Sequence, residues 1–119
     1  MEAPQSYKED RPWGNFVEFT HNKPSTVKII TVNPHQALSL QKHEKRDEFW
    51  HVLSDGDGVI EIDSNRSTPK IGSEYFVPRG VTHRLEAGAT PLVVLEISFG
   101  EFDESDIVRL EDLYGRASS

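Results

Sequence analysis

Four side chains able to bind a metal ion stand at informative spacings: Gln41, His43, Glu48 and His83. Gln41 and His43 are two residues apart in a segment, 37–43, that reads as a β-strand. Strand side chains alternate faces, so these two share one face, and Leu38 and Leu40 are expected on the other. Glu48 opens the next strand after a charged turn at 44–47. His83 opens a later one after Pro78-Arg79-Gly80. Four donors would thus converge from three strands. Imidazole and carboxylate suit Zn, Fe, Mn, Co or Ni, and a Gln carbonyl is a weaker oxygen donor. Three strong ligands and one weak one leave room for water or substrate, as catalytic rather than structural metal sites do. Taken singly, each residue says little. His43 lies among Lys42, Glu44 and Lys45 and would ordinarily be a solvated surface histidine. The joint spacing carries the weight.

The elements that must position these residues read as strands. Residues 15–20, 26–32, 37–43, 48–53, 59–62, 75–77, 82–86 and 92–99 are short β-branched or alternating runs separated by turn signals. Such spacing predicts an all-β antiparallel sandwich or barrel. Trp50 and Val52 fall on the inward face with Glu48 and are expected in the core. Trp13 is expected to be a packing anchor. Residues 65–69 look like the most loop-like interior stretch. Ile107, Val108, Leu110, Leu113 and Tyr114 recur at helical spacing, with Asp103 or Ser105 as a cap and Gly115 as a stop. They predict one short C-terminal helix over 106–114. Residues 1–10 read as an N-terminal arm before a single domain over 11–119.

Composition limits the function classes. The chain has 119 residues, one domain's worth. It contains no cysteine, which excludes disulfides and thiolate ligands. No run approaches the roughly 20 apolar residues of a membrane span, and the N-terminus has no apolar signal region, so a cytoplasmic protein without membrane contact is expected. The net charge of −7 argues against nucleic acid as a partner. It also repels anionic substrates at long range. A phosphorylated ligand would need local cations, and Lys42, Lys45, Arg46, Arg79 and Arg84 lie near the proposed ligands in sequence.

Two segments resemble the cupin motifs. The first runs His35, five residues, Gln41-x-His43, four residues, Glu48. The second runs Gly72, five residues, Pro78-x-Gly80, two residues, His83. His35 stands where the first motif has Gly, Gln41 replaces its first His, and Ala87 replaces the final Asn of the second. A narrower resemblance is to the cupin domain of type II phosphomannose isomerases, commonly the C-terminal part of bifunctional mannose-6-phosphate isomerase/mannose-1-phosphate guanylyltransferases. It rests on Arg11-Pro12-Trp13-Gly14, Leu38-Ser39-Leu40-Gln41-x-His43-x-x-Arg46-x-Glu48-x-Trp50, Val77-Pro78-x-Gly80-x-x-His83-Arg84-Leu85, Pro91-Leu92, and Asp106-Ile107-Val108-Arg109 through Tyr114-Gly115-Arg116. Phe49 replaces a family His, but on a strand it faces away from Glu48.

The resemblance implies a double-stranded β-helix, the cupin jelly-roll barrel. It implies metal-dependent interconversion of mannose 6-phosphate and fructose 6-phosphate, with zinc the first expectation and manganese, iron, cobalt or nickel compatible. Arg46 is the implied catalytic helper, stabilising charge or orienting substrate. It is a poor base, since a guanidinium stays protonated in proteins. Lys42, Arg79 and Arg84 are candidates for binding the phosphate, although alternation turns Arg84 away from the metal face. A homodimer is implied as well. The 119 residues leave no room for a nucleotide-transfer domain, so activity with GTP is not expected. The alternatives are a non-catalytic sugar or sugar-nucleotide binding module, and another metal-cupin enzyme such as an iron oxygenase.

Overall fold

A computed structural model describes residues 1–117. The eleven strands are β1 (Tyr7–Arg11), β2 (Gly14–Glu18), β3 (Ser25–Val32), β4 (Leu40–Lys42), β5 (Arg46–Val52), β6 (Val59–Ile62), β7 (Asn65–Ser67), β8 (Glu74–Val77), β9 (His83–Glu86), β10 (Leu92–Gly100) and β11 (Val108–Glu111). One sheet has the order β3-β10-β5-β8 and the other β11-β4-β9-β6-β7, with every pair antiparallel. β1 and β2 form a separate hairpin. From β3 onward consecutive strands alternate between the sheets, apart from the β6–β7 hairpin, as in a jelly roll, and the two sheets do not close into a continuous barrel.

Alternation explains the core. Val32, Trp50, Val52, Ile60, Val77, Leu85, Leu92 and Val94 point between the sheets and are buried together. Trp50 and Val52 lie where the inward-face reading put them. A second cluster of Phe49, Ile97 and Phe99, with Phe19 against it, covers the other face of the first sheet. Phe49 therefore points away from Glu48, as its position on β5 requires. The outward residues of edge strand β3, Val27 and Ile29, remain exposed.

Three stretches differ from the sequence reading. Among the described residues there is no helix, and the expected C-terminal helix is replaced by β11. Strand β4 offers a free edge, and residues 108–111 satisfy their backbone groups there instead of within a helical turn. The apolar residues meant for the helix's buried face, Leu110, Leu113 and Tyr114, are exposed. The N-terminal arm carries a strand from Tyr7 onward, and Trp13, at its turn, is 73% exposed rather than a packing anchor. Residues 65–67 form β7, because Asp63 and Ser64 both take positive φ (49° and 66°) and make the tight turn that pairs Ile62 with Asn65.

The substitution at His35 leaves the turn intact. Pro34 and His35 are the central residues of a turn closed by Gln36 N–H donating to the Asn33 carbonyl at 3.0 Å. His35 takes φ 60°, the position where Gly is at ease. A β-carbon there costs about 1–2 kcal/mol, partly offset by the greater freedom glycine loses on folding. We therefore expect His35→Gly to stabilise the protein by about 0.5–1 kcal/mol, read as a higher urea midpoint at unchanged m-value.

Asp47, beside Glu48 on β5, ties that strand to the turn before β9. Its carboxylate accepts from Arg79 N–H at 2.8 Å and from the Arg79 guanidinium at 2.9 Å. Burial pushes this carboxyl up, but the bonds from Arg79 outweigh it and hold it below its ordinary value. Its stabilising contribution is thus complete above the unfolded value of about 3.9 and lost as pH falls through the lower folded value. Asp47→Asn should cost about 1–3 kcal/mol at neutral pH, and its deficit should shrink below about pH 3 in urea titrations.

Candidate metal centre and active site

Strands β4, β5 and β9 meet where the sequence placed the ligands. Gln41 of β4 pairs in register with His83 of β9. The turn at 78–81 that delivers His83 has Gly80 at φ 82°, and Gly80 N–H donates to the His43 carbonyl. His43, Glu48 and His83 are all buried, and one donor atom from each lies within 4.8 Å of the others. His43 Nε2 is 3.1 Å from Glu48 Oε1, and His83 Nε2 is 3.9 Å from Glu48 Oε2.

Hydrogen bonds set the tautomers. His83 Nδ1 is 3.0 Å from the Val81 carbonyl and His43 Nδ1 is 2.6 Å from the Asp106 carbonyl. A carbonyl only accepts, so each Nδ1 carries its hydrogen. In the neutral rings the Nε2 lone pairs then face Glu48. His83 Nε2 is buried without a hydrogen-bond partner. Burial also pushes the His83 imidazole down, favouring its neutral form. Two imidazole lone pairs and a carboxylate aimed at one point repel one another unless a proton or cation lies between them. The donor set therefore fits a divalent ion, and the carbonyls on the far nitrogens are the outer partners that metal-binding histidines use.

Gln41 reaches the same place differently from the expectation. Its Oε1 accepts from Ser39 Oγ at 2.6 Å, and its Nε2 lies 3.4 Å from His43 Nε2. A glutamine binds metal through oxygen, so in this orientation Gln41 lies beside the donor set without joining it. Leu38 also departs from its expected place. It packs against the inner core and lines the cavity, because the regular strand begins only at Leu40.

Arg46 is buried at the start of β5. Its Nε donates to Glu48 Oε1 at 3.2 Å, its Nη1 to the Asp103 carbonyl at 3.1 Å, and its Nη2 lies 3.2 Å from His43 Nε2. Its guanidinium also rests 4.4 Å from the centre of the Phe102 ring. Burial works against the charge on Glu48, but when the rings are protonated the hydrogen bond from His43 and the charges of His83 and His43 outweigh it and hold its carboxyl far below the ordinary range; a divalent ion between the donors would act in the same sense. Glu96 behaves oppositely. Burial, then the Glu48 charge, push its carboxyl up. The Trp50 Nε1–H spans both acids, 3.2 Å from Glu48 Oε2 and 3.2 Å from Glu96 Oε2.

These groups line a cavity of about 160 Å³ whose walls include Lys28, Gln41, Arg46, Glu96, Glu104 and Arg109. Lys42, Arg79 and Arg84 do not line it. Lys42 lies 3.6 Å from Glu44, Arg79 binds Asp47, and Arg84 donates to the Leu38 carbonyl and to Glu111. Alternation turns Lys42 on β4 and Arg84 on β9 away from the cavity, and Arg79 leaves the turn at 78–81 toward Asp47. Four cationic side chains, Lys28, Arg46, Arg109 and Arg116, face three carboxylates in this cavity, so the acidity of the whole chain is reversed locally. Lys28 and Glu96 were absent from the sequence-based set. Their signal was present: each is a charged residue inside an apolar strand, and they pair across β3 and β10.

Residues 2–112 match the family described as mannose-6-phosphate isomerase C-terminal. The chain belongs to this family. The xanthan biosynthesis protein XanB of Xanthomonas campestris pv. campestris (strain B100) is 42% identical over 123 residues, covering 97% of this chain and 25% of that protein. The mannose-1-phosphate guanylyltransferase ManC of Salmonella typhimurium is 37% identical, covering 89% of this chain and 22% of that protein. The chain thus spans about a quarter of the length of these relatives. Among solved structures, the capsular polysaccharide assembling protein CapF of Staphylococcus aureus superposes with a TM-score of 0.65 at 22% identity, over 92% of this chain and 33% of that one. A cupin protein from Bacteroides fragilis gives 0.58 at 19%, over 69% and 74%. At these identities the likeness shows the fold, and the cupin jelly roll is thereby established. No helix among the described residues is long and apolar enough to cross a membrane.

If the three donors hold an ion, zinc in hundredfold excess over its Kd should add about 2.7 kcal/mol, raising the melting midpoint by about 10 °C. A chelator should reverse the shift, and His83→Ala should abolish both the shift and the calorimetric binding signal.

Proposed function

We propose that this domain interconverts an aldose phosphate and a ketose phosphate, mannose 6-phosphate and fructose 6-phosphate, using one divalent ion, zinc in the first instance. The observation that carries this reading is the convergence of three buried lone-pair donors beside a buried arginine in a cavity. Membership of a family described by that isomerase supports the choice of substrate. The ion would supply Lewis-acid stabilisation of negative charge developing on the sugar oxygens while a proton moves between two carbons.

The chain's own residues do the positioning. The Val81 and Asp106 carbonyls fix the His83 and His43 rings so that each Nε2 faces inward. Arg46 donates to Glu48 and orients it, and its fixed cation would lie beside charge developing on a substrate held at the three donors. With its hydrogens shared among Glu48, His43 and the Asp103 carbonyl, Arg46 acts mainly by position. Gln41 would join the donors once its amide turns, with Ser39 Oγ then accepting from its nitrogen. For the phosphate, the cavity-lining Lys28, Arg109 and Arg116 are better placed than Lys42, Arg79 and Arg84. A homodimer in the cytoplasm belongs to the same proposal, with light scattering the check on its mass.

The deciding experiment is a coupled isomerase assay on metal-stripped protein reloaded with each divalent metal. Zinc or a close relative should restore turnover. His43→Ala should lose both metal and turnover, while Arg46→Ala should keep the metal and lose about 10²-fold in turnover. A metal-loaded protein that binds mannose 6-phosphate without converting it would overturn the isomerase reading in favour of a binding module.

A further inference from the structure

Strand β3 turns Thr26, Lys28, Ile30 and Val32 inward and leaves Val27, Ile29 and Thr31 outside. A lysine on the inner face of a jelly roll needs a partner. Lys28 finds Glu104, whose Oε1 accepts from its Nζ at 2.7 Å, and its ammonium also lies 4.2 Å from the centre of the Phe102 ring. Both partners belong to the segment 101–107, which joins β10 to β11 and borders the cavity through Glu104 and Ile107. This strap is fastened on either side of Glu104. The Asp103 carbonyl accepts from Arg46, and the Asp106 carboxylate accepts from the Glu44 and Lys45 N–H groups at 3.0 Å each. The backbone of the strap is therefore anchored, while the Glu104 side chain is 77% exposed and held by Lys28.

Two of the other cations are held differently. Arg46 is buried and shared among three acceptors, and Arg116 is chelated by both Asp112 oxygens. The Lys28–Glu104 pair is open to solvent at its carboxylate end. An ion pair so exposed shifts an equilibrium by less than about tenfold. A phosphate, with close to two charges at neutral pH, would compete well with a single carboxylate for the same ammonium. An uncharged sugar would not.

We propose that Lys28 receives the anionic group of the ligand, and that Glu104 is an internal carboxylate that occupies Lys28 until a phosphate displaces it. The exchange leaves the lysine paired in both states, so its cost is small for a phosphorylated ligand. A neutral sugar gains nothing from the lysine, so the exchange selects phosphorylated ligands. The proposal rests on the preceding reading only in placing a sugar phosphate in this cavity, and it holds for binding whether or not conversion follows.

Calorimetry on the zinc-loaded protein with inorganic phosphate, mannose 6-phosphate and mannose tests it. Glu104→Gln should tighten both phosphate ligands by about fivefold. Lys28→Met, which keeps the aliphatic stem, should weaken them by at least about tenfold, with Lys28→Arg recovering most of the loss. In the Lys28→Met background the gain from Glu104→Gln should vanish, because the carboxylate acts through that lysine. Mannose binding should change in none of them. An equal gain from Glu104→Gln in both backgrounds, or unchanged phosphate affinity in Lys28→Met, would overturn the proposal. So would a wild-type protein that binds no phosphate. Turnover by wild type with unaltered KM in Lys28→Met would sink this inference and leave the isomerase reading intact. Lysine-dependent phosphate binding without turnover would do the reverse.

Discussion

A carboxylate as enclosed as Glu48, at 1% exposure, can stay ionised only if the surrounding groups replace the water it has lost. Much of the architecture serves that condition. Arg46 and the Trp50 indole donate to it, and two imidazoles face it. Each helper is positioned by a different part of the fold: Arg46 and Trp50 by the pleat of β5, His83 by the turn at Gly80, and His43 by the end of β4. The inner sheet residues above and below, Trp50 and Val52 among them, exclude water and raise the energetic stakes of every polar contact.

The same condition gives the C-terminal strap its importance. A strand added at the β4 edge would by itself be a minor extension of a sheet. Here the approach to that strand carries the carbonyl that holds His43, the carbonyl that holds Arg46, and the carboxylate that ties down the turn between them. The strap thus forms a wall of the cavity and sets the chemical state of its contents.

Much of this could be read from the sequence. Period-two alternation located eight strands, β6 to the residue, and placed Trp50 inward and Phe49 outward. The spacing of His43, Glu48 and His83 foretold their convergence, because strand alternation and turn length determine it. What alternation cannot supply is the partner of an edge. The 108–111 segment has a helix-like apolar pattern, and only the vacant edge of β4 makes it a strand. Likewise β7 depends on two non-glycine residues accepting positive φ, which a search for glycine in turns overlooks. Nearness along the chain points to Lys42, Arg79 and Arg84, whereas β3 and β10 bring Lys28 and Glu96 to the cavity from far away in sequence. A charge embedded in an apolar strand was the legible sign of both.

The bond between His43 and the Asp106 carbonyl joins residues 63 positions apart. Its consequence concerns time rather than space. A chain emerging from the ribosome exposes Gln41, His43, Glu48 and His83 well before residue 106, and until then the His43 ring lacks the acceptor that fixes the hydrogen on its Nδ1. Such long-range closure is slow to form. Ion capture would therefore be a late event in folding, and the site would mature only when the last strand has docked.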